Sequence, residues 1–195
     1  MMRKNKIFVA CDTVNISKVK EIIEKTKNSK LKVGYKFGLE FLNSKNGRNF
    51  VSNLKNKIVF ADLKIHDIPN TCVSAIKAIK DLNVNYLTIH ISAGLEALKA
   101  AKKVSGSIRL VGVSILTSLD NKDLKEIGFN KDVKKLVLHQ AKLANKAKLD
   151  AFVCSAQEAK SVKKVFKKEI ITPGIRFNSK INDQKRIMSA TNAFN

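Results

Sequence analysis

Seven short runs rich in β-branched and apolar residues alternate with longer stretches of helical period, and this alternation limits the possible folds more than any other feature. The runs are Ile7–Asp12, Val33–Gly38, Ile58–Ile65, Tyr86–Ile91, Arg109–Leu116, Ala151–Ser155 and Ile170–Ile175. Helical stretches fall between them at Ile16–Asn28, Gly47–Leu54, Asn70–Leu82, Leu95–Val104, Val133–Lys148 and Ala156–Phe166. Ile76 with Ile79, and Leu136, Leu138, Leu143 and Ala147, recur near the helical period and mark buried faces. Strands joined through helices point to a parallel sheet. Strands apolar along most of their length fit a sheet covered by helices. Periodicity does not close a sheet, so a barrel and an open doubly wound sheet both remain at this level.

The 195 residues suit one domain with a substantial core. The last unit is incomplete: after Ile175 a loop leads to a helix expected to begin near Gln184, and no eighth strand follows. Residues 1–195 therefore read as a single α/β domain whose last βα unit is incomplete.

Charge and apolar pattern narrow the function classes. Lys and Arg number 38 against 16 Asp and Glu, a net charge of +22. Only Arg3, Arg48, Arg109, Arg176 and Arg186 are arginine, whereas base-edge and bidentate phosphate readers lean on arginine. The lysines are spread in pairs such as Lys102–Lys103, Lys134–Lys135 and Lys163–Lys164 at solvated helical positions. No nucleic-acid partner is expected, although the positive field would attract an anionic substrate. No apolar run approaches the roughly 20 residues of a membrane span. Ile7–Cys11 is too short for a signal peptide's apolar region of about 7–15 residues. A cytoplasmic protein with no membrane partner is expected. Cys11, Cys72 and Cys154 form no CxxC pair and read as buried free thiols. The histidines and cysteines lack metal-ligand spacing, and no Gly-x-Gly-x-x-Gly loop is present, so neither metal nor dinucleotide is expected.

Chemistry concentrates in Asp62-Leu63-Lys64-Ile65-His66-Asp67-Ile68-Pro69-Asn70-Thr71. Residues two apart on a strand share a side, so Asp62 and Lys64 project together while Leu63 and Ile65 pack under helices. Asp67 falls just past the strand end, where parallel α/β folds place catalytic loops. Pro69 suits a first helical turn. A buried ion pair with a helix cap is the plain structural alternative, but such a pair is costly to place in a core for stability alone. His66, one step off that face, reads as a packing residue. His90, at a strand end, reads as lining the pocket floor.

This stretch resembles the Asp-x-Lys-x-x-Asp signature, followed by Ile-Pro-x-Thr, of the orotidine 5′-phosphate decarboxylase family. Val9-Ala10-Cys11-Asp12, Tyr35-Lys36-Phe37-Gly38-Leu39-Glu40-Phe41, Thr88-Ile89-His90, Leu116-Thr117-Ser118, Val153-Cys154-Ser155-Ala156-Gln157-Glu158, Thr172-Pro173-Gly174-Ile175-Arg176 and Asp183-Gln184-Lys185-Arg186 resemble its other segments in order and spacing. Lys32-Val33-Gly34 also offers a Lys-x-Gly, but only Lys36-Phe37-Gly38 is followed by Leu-Glu-Phe, so Lys32 is read as surface.

The resemblance implies a (β/α)8 TIM barrel that converts orotidine 5′-monophosphate to uridine 5′-monophosphate and CO2 without a cofactor. It implies catalytic roles for Lys64 as proton donor, Asp62, Lys36 and Asp67. Substrate contacts are implied for Asp12 and Thr117 on the ribose, Ser155 on the pyrimidine, and Arg176 with Gln184 on the phosphate, from a loop shaped by Pro173. A homodimer is implied, with Asp67 and Thr71 serving the neighbouring subunit's site. The family's phosphate grip also uses a Gly-Arg pair on the eighth strand. The 195-residue chain alone is therefore expected to turn over poorly or not at all. Related sugar-phosphate enzymes share Asp-x-Lys-x-x-Asp but use a divalent metal; Ile68–Thr71 and Val153–Ser155 favour the nucleotide enzyme.

Overall fold

The computed structural model describes residues 6–176 and 188–189. Seven parallel strands run in chain order across one sheet: β1 (Lys6–Ala10), β2 (Lys32–Gly38), β3 (Ile58–Ile65), β4 (Tyr86–His90), β5 (Arg109–Val113), β6 (Ala151–Val153) and β7 (Glu169–Ile171). A separate parallel pair joins β8 (Ile175–Arg176) to β9 (Met188–Ser189). The helices are α1 (Ile16–Thr26), α2 (Leu39–Asn43), α3 (Gly47–Ser52), α4 (Pro69–Ala78), α5 (Leu95–Val104), α6 (Asn121–Glu126), α7 (Val133–Lys146) and α8 (Ala156–Val165).

One long-range contact decides between an open and a curled sheet. Seven flat strands would set β1 and β7 roughly 29 Å apart at the usual strand spacing. Lys6 on β1 nevertheless places its Nζ 3.2 Å from Oε1 of Glu169 on β7. The sheet must curl until its first and last strands face each other. Its interior confirms this. Phe60, Tyr86, Val111 and Ala151 form a buried cluster joined by Phe8, Ile58, Val153 and Ile171, contributions from six of the seven strands. The Phe8 ring lies 4.9 Å from Phe60 and 5.1 Å from Tyr86, centroid to centroid. β2 contributes space instead: a Cβ on Gly34 would come within 2.8 Å of the Phe8 ring.

The second core lies outside, between strands and helices. It includes Phe37, Ala61, Leu87, Ile89 and Leu110 from the strands and Val19, Ile76, Leu98, Val137 and Val162 from the helices. Most apolar strand side chains thus pack either into the lumen or under the helical layer, which is the two-sided burial of a barrel wall. On α7 the buried residues are Val133, Leu136, Val137, Gln140, Ala141 and Ala144; of the expected set, Leu136 and Ala147 are buried and Leu138 and Leu143 pack, partly buried, against the core.

Several elements end earlier than their apolar runs. β5 stops at Val113 and β6 at Val153, because Ser114 and Ser155 turn into loops; Ser114 Oγ donates to the Val153 carbonyl (2.8 Å) and Ser155 caps α8. The run expected at Ile170–Ile175 divides into β7 and β8 around Pro173. Two helices had no expectation. α2 is a short turn after Gly38, and α6 begins at a capping box in which the Asp120 and Asp123 side chains each accept a backbone N–H from the other's end. The helix expected from Gln184 falls mostly outside the described residues. Where the chain is described again, at Met188–Ser189, it is extended and not helical.

Candidate active site

The C-terminal ends of β1, β2 and β3 bring four charged side chains to one side of the sheet. Asp62 Oδ2 lies 3.0 Å from Lys64 Nζ and 3.6 Å from Lys36 Nζ, and Asp12 Oδ1 lies 3.0 Å from Lys36 Nζ. The order is Asp12–Lys36–Asp62–Lys64, alternating in sign along residues far apart in sequence. Strand alternation positions them: Lys36 pairs in register with Ala10, and Asp62 with Gly38. Asp62 is the most enclosed, with its side chain 13% exposed, whereas Lys64 is 34% and Asp12 64% exposed. The Asp62 carboxylate between two partly exposed ammonium groups makes this charge cluster the candidate site.

Lys64 occupies an unusual backbone conformation. Its φ is +49°, in the left-handed region that costs a non-glycine residue on the order of 1–3 kcal/mol. The strand register accounts for it: Ala61 opposes Leu87 and Ile65 opposes Ile89, so four steps along β3 match two along β4. The bulge holds Asp62, Leu63 and Lys64. Leu63 and Ile65 still pack against the helical layer, as alternation requires. Thr88, across from the bulge, accepts a hydrogen bond from the Lys64 amide (2.8 Å) and donates one to Asp62 Oδ1 (3.1 Å).

Two histidines stand beside this group. The His66 and His90 rings lie 5.3 Å apart. His66 is exposed at the strand end, so its reading as a packing residue is corrected: β3 has ended at Ile65 and strand alternation no longer places its side chain. Burial, with the positive neighbours His66 and Lys64 and against the pull of Asp62, lowers the His90 pKa from 6.5 to about 4. His90 is therefore neutral near pH 7. Burial, reinforced by the Asp12 carboxylate and opposed by Lys36, raises the Cys11 thiol to about 11. Cys11, Cys72 and Cys154 are all buried thiols outside any disulfide, as the sequence suggested.

The remaining expected residues divide by location. Asp67 is exposed beyond β3; its Oδ1 accepts from the Ile68 amide (2.7 Å) and its carbonyl from Cys72 Sγ (3.1 Å). Thr71 is exposed in the first turn of α4, where Pro69 takes the first position. Within the described residues, neither Asp67 nor Thr71 joins the Lys36–Asp62–Lys64 group. Thr117 is half-buried in the loop after β5, and Pro173 in the loop after β7. Ser155 is buried, its Oγ accepting from the Gln157 amide (3.2 Å). Arg176 falls in β8, and Gln184 lies outside the described residues. Lys32 is exposed at the start of β2, in keeping with its reading as surface. Among the described residues, no group of three or more His, Cys, Asp or Glu side chains is placed to hold a metal ion. No described helix is long and apolar enough to cross a membrane. Sequence reasoning gave Thr88 no role, although its place two residues before His90 put it on the site's face.

Comparison with known proteins decides what this geometry belongs to. The family described as "Orotidine 5'-phosphate decarboxylase / HUMPS family" matches residues 5–194. The chain belongs to this family. An orotidine 5'-phosphate decarboxylase of Wolbachia pipientis is 42% identical over 198 residues, covering 98% of this chain and 86% of that protein. One from Ehrlichia chaffeensis is 49% identical over 140 residues, a match that spans 69% of this chain and only 61% of the relative's length. Among solved structures, the orotidine 5'-phosphate decarboxylase of Lactobacillus acidophilus superposes with a TM-score of 0.78 at 30% identity, covering 88% of this chain and 81% of that one. The curled seven-stranded sheet is thus the wall of an orotidine 5'-phosphate decarboxylase-type TIM barrel, and Asp12, Lys36, Asp62 and Lys64 sit at the strand ends where TIM barrels carry their active sites.

Proposed function

We propose that this fold, in a version continued through an eighth βα unit, decarboxylates orotidine 5′-monophosphate to uridine 5′-monophosphate and CO2, a step of pyrimidine synthesis, without a cofactor and with Lys64 as proton donor. The observation that carries this reading is the Asp62 carboxylate between the ammonium groups of Lys64 (3.0 Å) and Lys36 (3.6 Å) in a chain 42% identical to a decarboxylase across most of its length.

Loss of CO2 leaves an electron pair on pyrimidine carbon 6, in an orbital outside the ring's π system. The ring cannot spread that charge, and no cofactor serves as electron sink. An ammonium facing the carbon stabilises the developing charge and then delivers the proton. Two unit charges about 4 Å apart are worth roughly 4 kcal/mol at an effective dielectric near 20. Rate gains of up to about 23 kcal/mol are known among enzymes, so Lys64 acts with its neighbours. Asp62 would sit beside the departing carboxylate, where like-charge crowding disfavours the bound substrate more than the transition state. Lys36 on β2, paired with Asp12 just after β1, holds Asp62, which in turn holds Lys64.

The rest of the substrate binds at the rim. Asp12 and Thr117 hold the ribose; Arg176 and Gln184, which follow Pro173 in sequence, hold the phosphate. Ser155 accepts one hydrogen bond in capping α8 and keeps its O–H to donate to the pyrimidine edge. Asp67 and Thr71 act in the site of a second subunit in a homodimer. Their exposure, and that of Ile68 (67%) between them, supports this.

The test is formation of uridine 5′-monophosphate from orotidine 5′-monophosphate in a version continued through an eighth βα unit. Turnover undiminished by excess chelator, abolished by Lys64→Ala with product binding retained, is the expected result. Dependence on a divalent metal, or turnover of a sugar phosphate instead, would overturn the proposal.

A further inference from the structure

Thr88 is 1% exposed, and its hydroxyl is committed at both ends to the reactive pair. It accepts from the Lys64 amide at 2.8 Å and donates to Asp62 Oδ1 at 3.1 Å. A strand residue ordinarily bonds its amide to a backbone carbonyl on the next strand. Inside the bulge that ladder is broken, because β3 has four steps for two on β4. The Thr88 side chain supplies the missing acceptor from the residue between Leu87 and Ile89. At the same time Asp62 is divided by partner: Oδ1 faces the Thr88 hydroxyl and Oδ2 faces the two lysines.

We propose that Thr88 is a positioning residue: one hydroxyl fixes the left-handed backbone at Lys64 and the rotation of the Asp62 carboxylate together, and so sets where the Lys64 ammonium stands. The proposal rests on the decarboxylase reading for its consequence in turnover, but not for the hydrogen bonds themselves. Without the hydroxyl, the Lys64 amide loses its acceptor, and its φ of +49° has less to hold it. The Asp62 carboxylate is then free to turn towards the lysines. A lysine must meet a reacting carbon within a few tenths of an ångström, and displacements of about 1 Å can cost on the order of 10²-fold in rate. A residue serving only the fold would affect stability without separating kcat from KM.

The experiment compares Thr88→Val, which keeps the shape and removes both hydrogen bonds, with Thr88→Ser, which keeps them. Hydrogen exchange at the Lys64 amide is read in the 195-residue chain, and kcat and KM in the version continued through an eighth βα unit. Thr88→Val is expected to speed exchange at the Lys64 amide and lower kcat by about 10²-fold with KM little changed. Thr88→Ser is expected to restore both. Should Thr88→Val fail to fold, Thr88→Cys takes its place, since a thiol is a weak donor and a weak acceptor. Unchanged protection of the Lys64 amide, or a kcat equal to that of the parent protein, would overturn the proposal. If the version continued through an eighth βα unit itself forms no uridine 5′-monophosphate, the decarboxylase reading falls, and the amide measurement still decides what the Thr88 hydroxyl does.

Discussion

Replacing Glu169 by alanine tests whether the lower end of the barrel is held by charge across its lumen. The Glu169 carboxylate receives Lys6 Nζ at 3.2 Å from β1, Arg109 at 2.8 Å from β5 and the Tyr86 hydroxyl at 3.1 Å from β4. Lys6 also donates to the Tyr86 hydroxyl, and both cations lie over the Tyr86 ring, at 4.7 and 5.2 Å from its centroid. Fully exposed pairs are worth about 0–1 kcal/mol, while breaking a fully buried pair costs about 3–5 kcal/mol. Here the side chains of Lys6, Glu169 and Arg109 are 19%, 23% and 44% exposed, which places the loss between those limits, at about 2 kcal/mol. In a chain of this length that lowers Tm by about 4–8 °C. Thermal and urea unfolding of Glu169→Ala measure it, and Glu169→Gln, which keeps hydrogen bonding but not charge, should lose less. A destabilisation below about 0.5 kcal/mol, the level of an ordinary surface substitution, would refute the idea that this pair holds the seam between β1 and β7.

Three further outcomes are expected. His90 binds its proton at a pKa near 4 in the folded protein but 6.5 unfolded. The two states differ in protonation only between these values, so His90 subtracts nothing above pH 6.5 and progressively destabilises the fold as pH falls towards 4. Because the ring is only partly enclosed, the loss is about 1–2 kcal/mol; unfolding of His90→Gln should show a shallower decline over that window, and an identical decline would contradict the assignment. The three thiols, buried and with Cys11 at about 11, should label slowly with a thiol reagent at pH 7.5 until the protein unfolds; rapid labelling in the native state would contradict their burial. Mixing inactive Lys64→Ala and Asp67→Asn subunits should restore part of the turnover through sites built from one intact copy of each residue. Complete inactivity of the mixture, with dimers formed, would remove Asp67 from a shared site.

Much of this chain was settled locally. Alternation within β3 is enough to put Asp62 and Lys64 on one side and Leu63 and Ile65 under the helices, because side-chain direction in a strand follows from residue spacing alone. Pro69 at the first turn of α4, and the apolar runs that became β1 to β7, follow from the same short-range rules. The ends of those runs did not, since Ser114 and Ser155 leave the ladder for bonds with a neighbouring carbonyl and a helix cap. His66 was misplaced for a similar reason: its side is set by a strand that has already ended.

Only the tertiary structure could decide the features that depend on two distant segments at once. The curl of the sheet rests on Lys6 meeting Glu169 across 163 positions of sequence, which no local pattern encodes. The left-handed backbone at Lys64 exists because β4 offers two steps where β3 needs four, and because Thr88 on β4 supplies the acceptor that the broken ladder lacks. A residue's own sequence neighbours determine which way it points and whether it prefers helix or strand. The register between strands, and therefore where a charged side chain meets its partner, is determined by whatever the fold brings opposite.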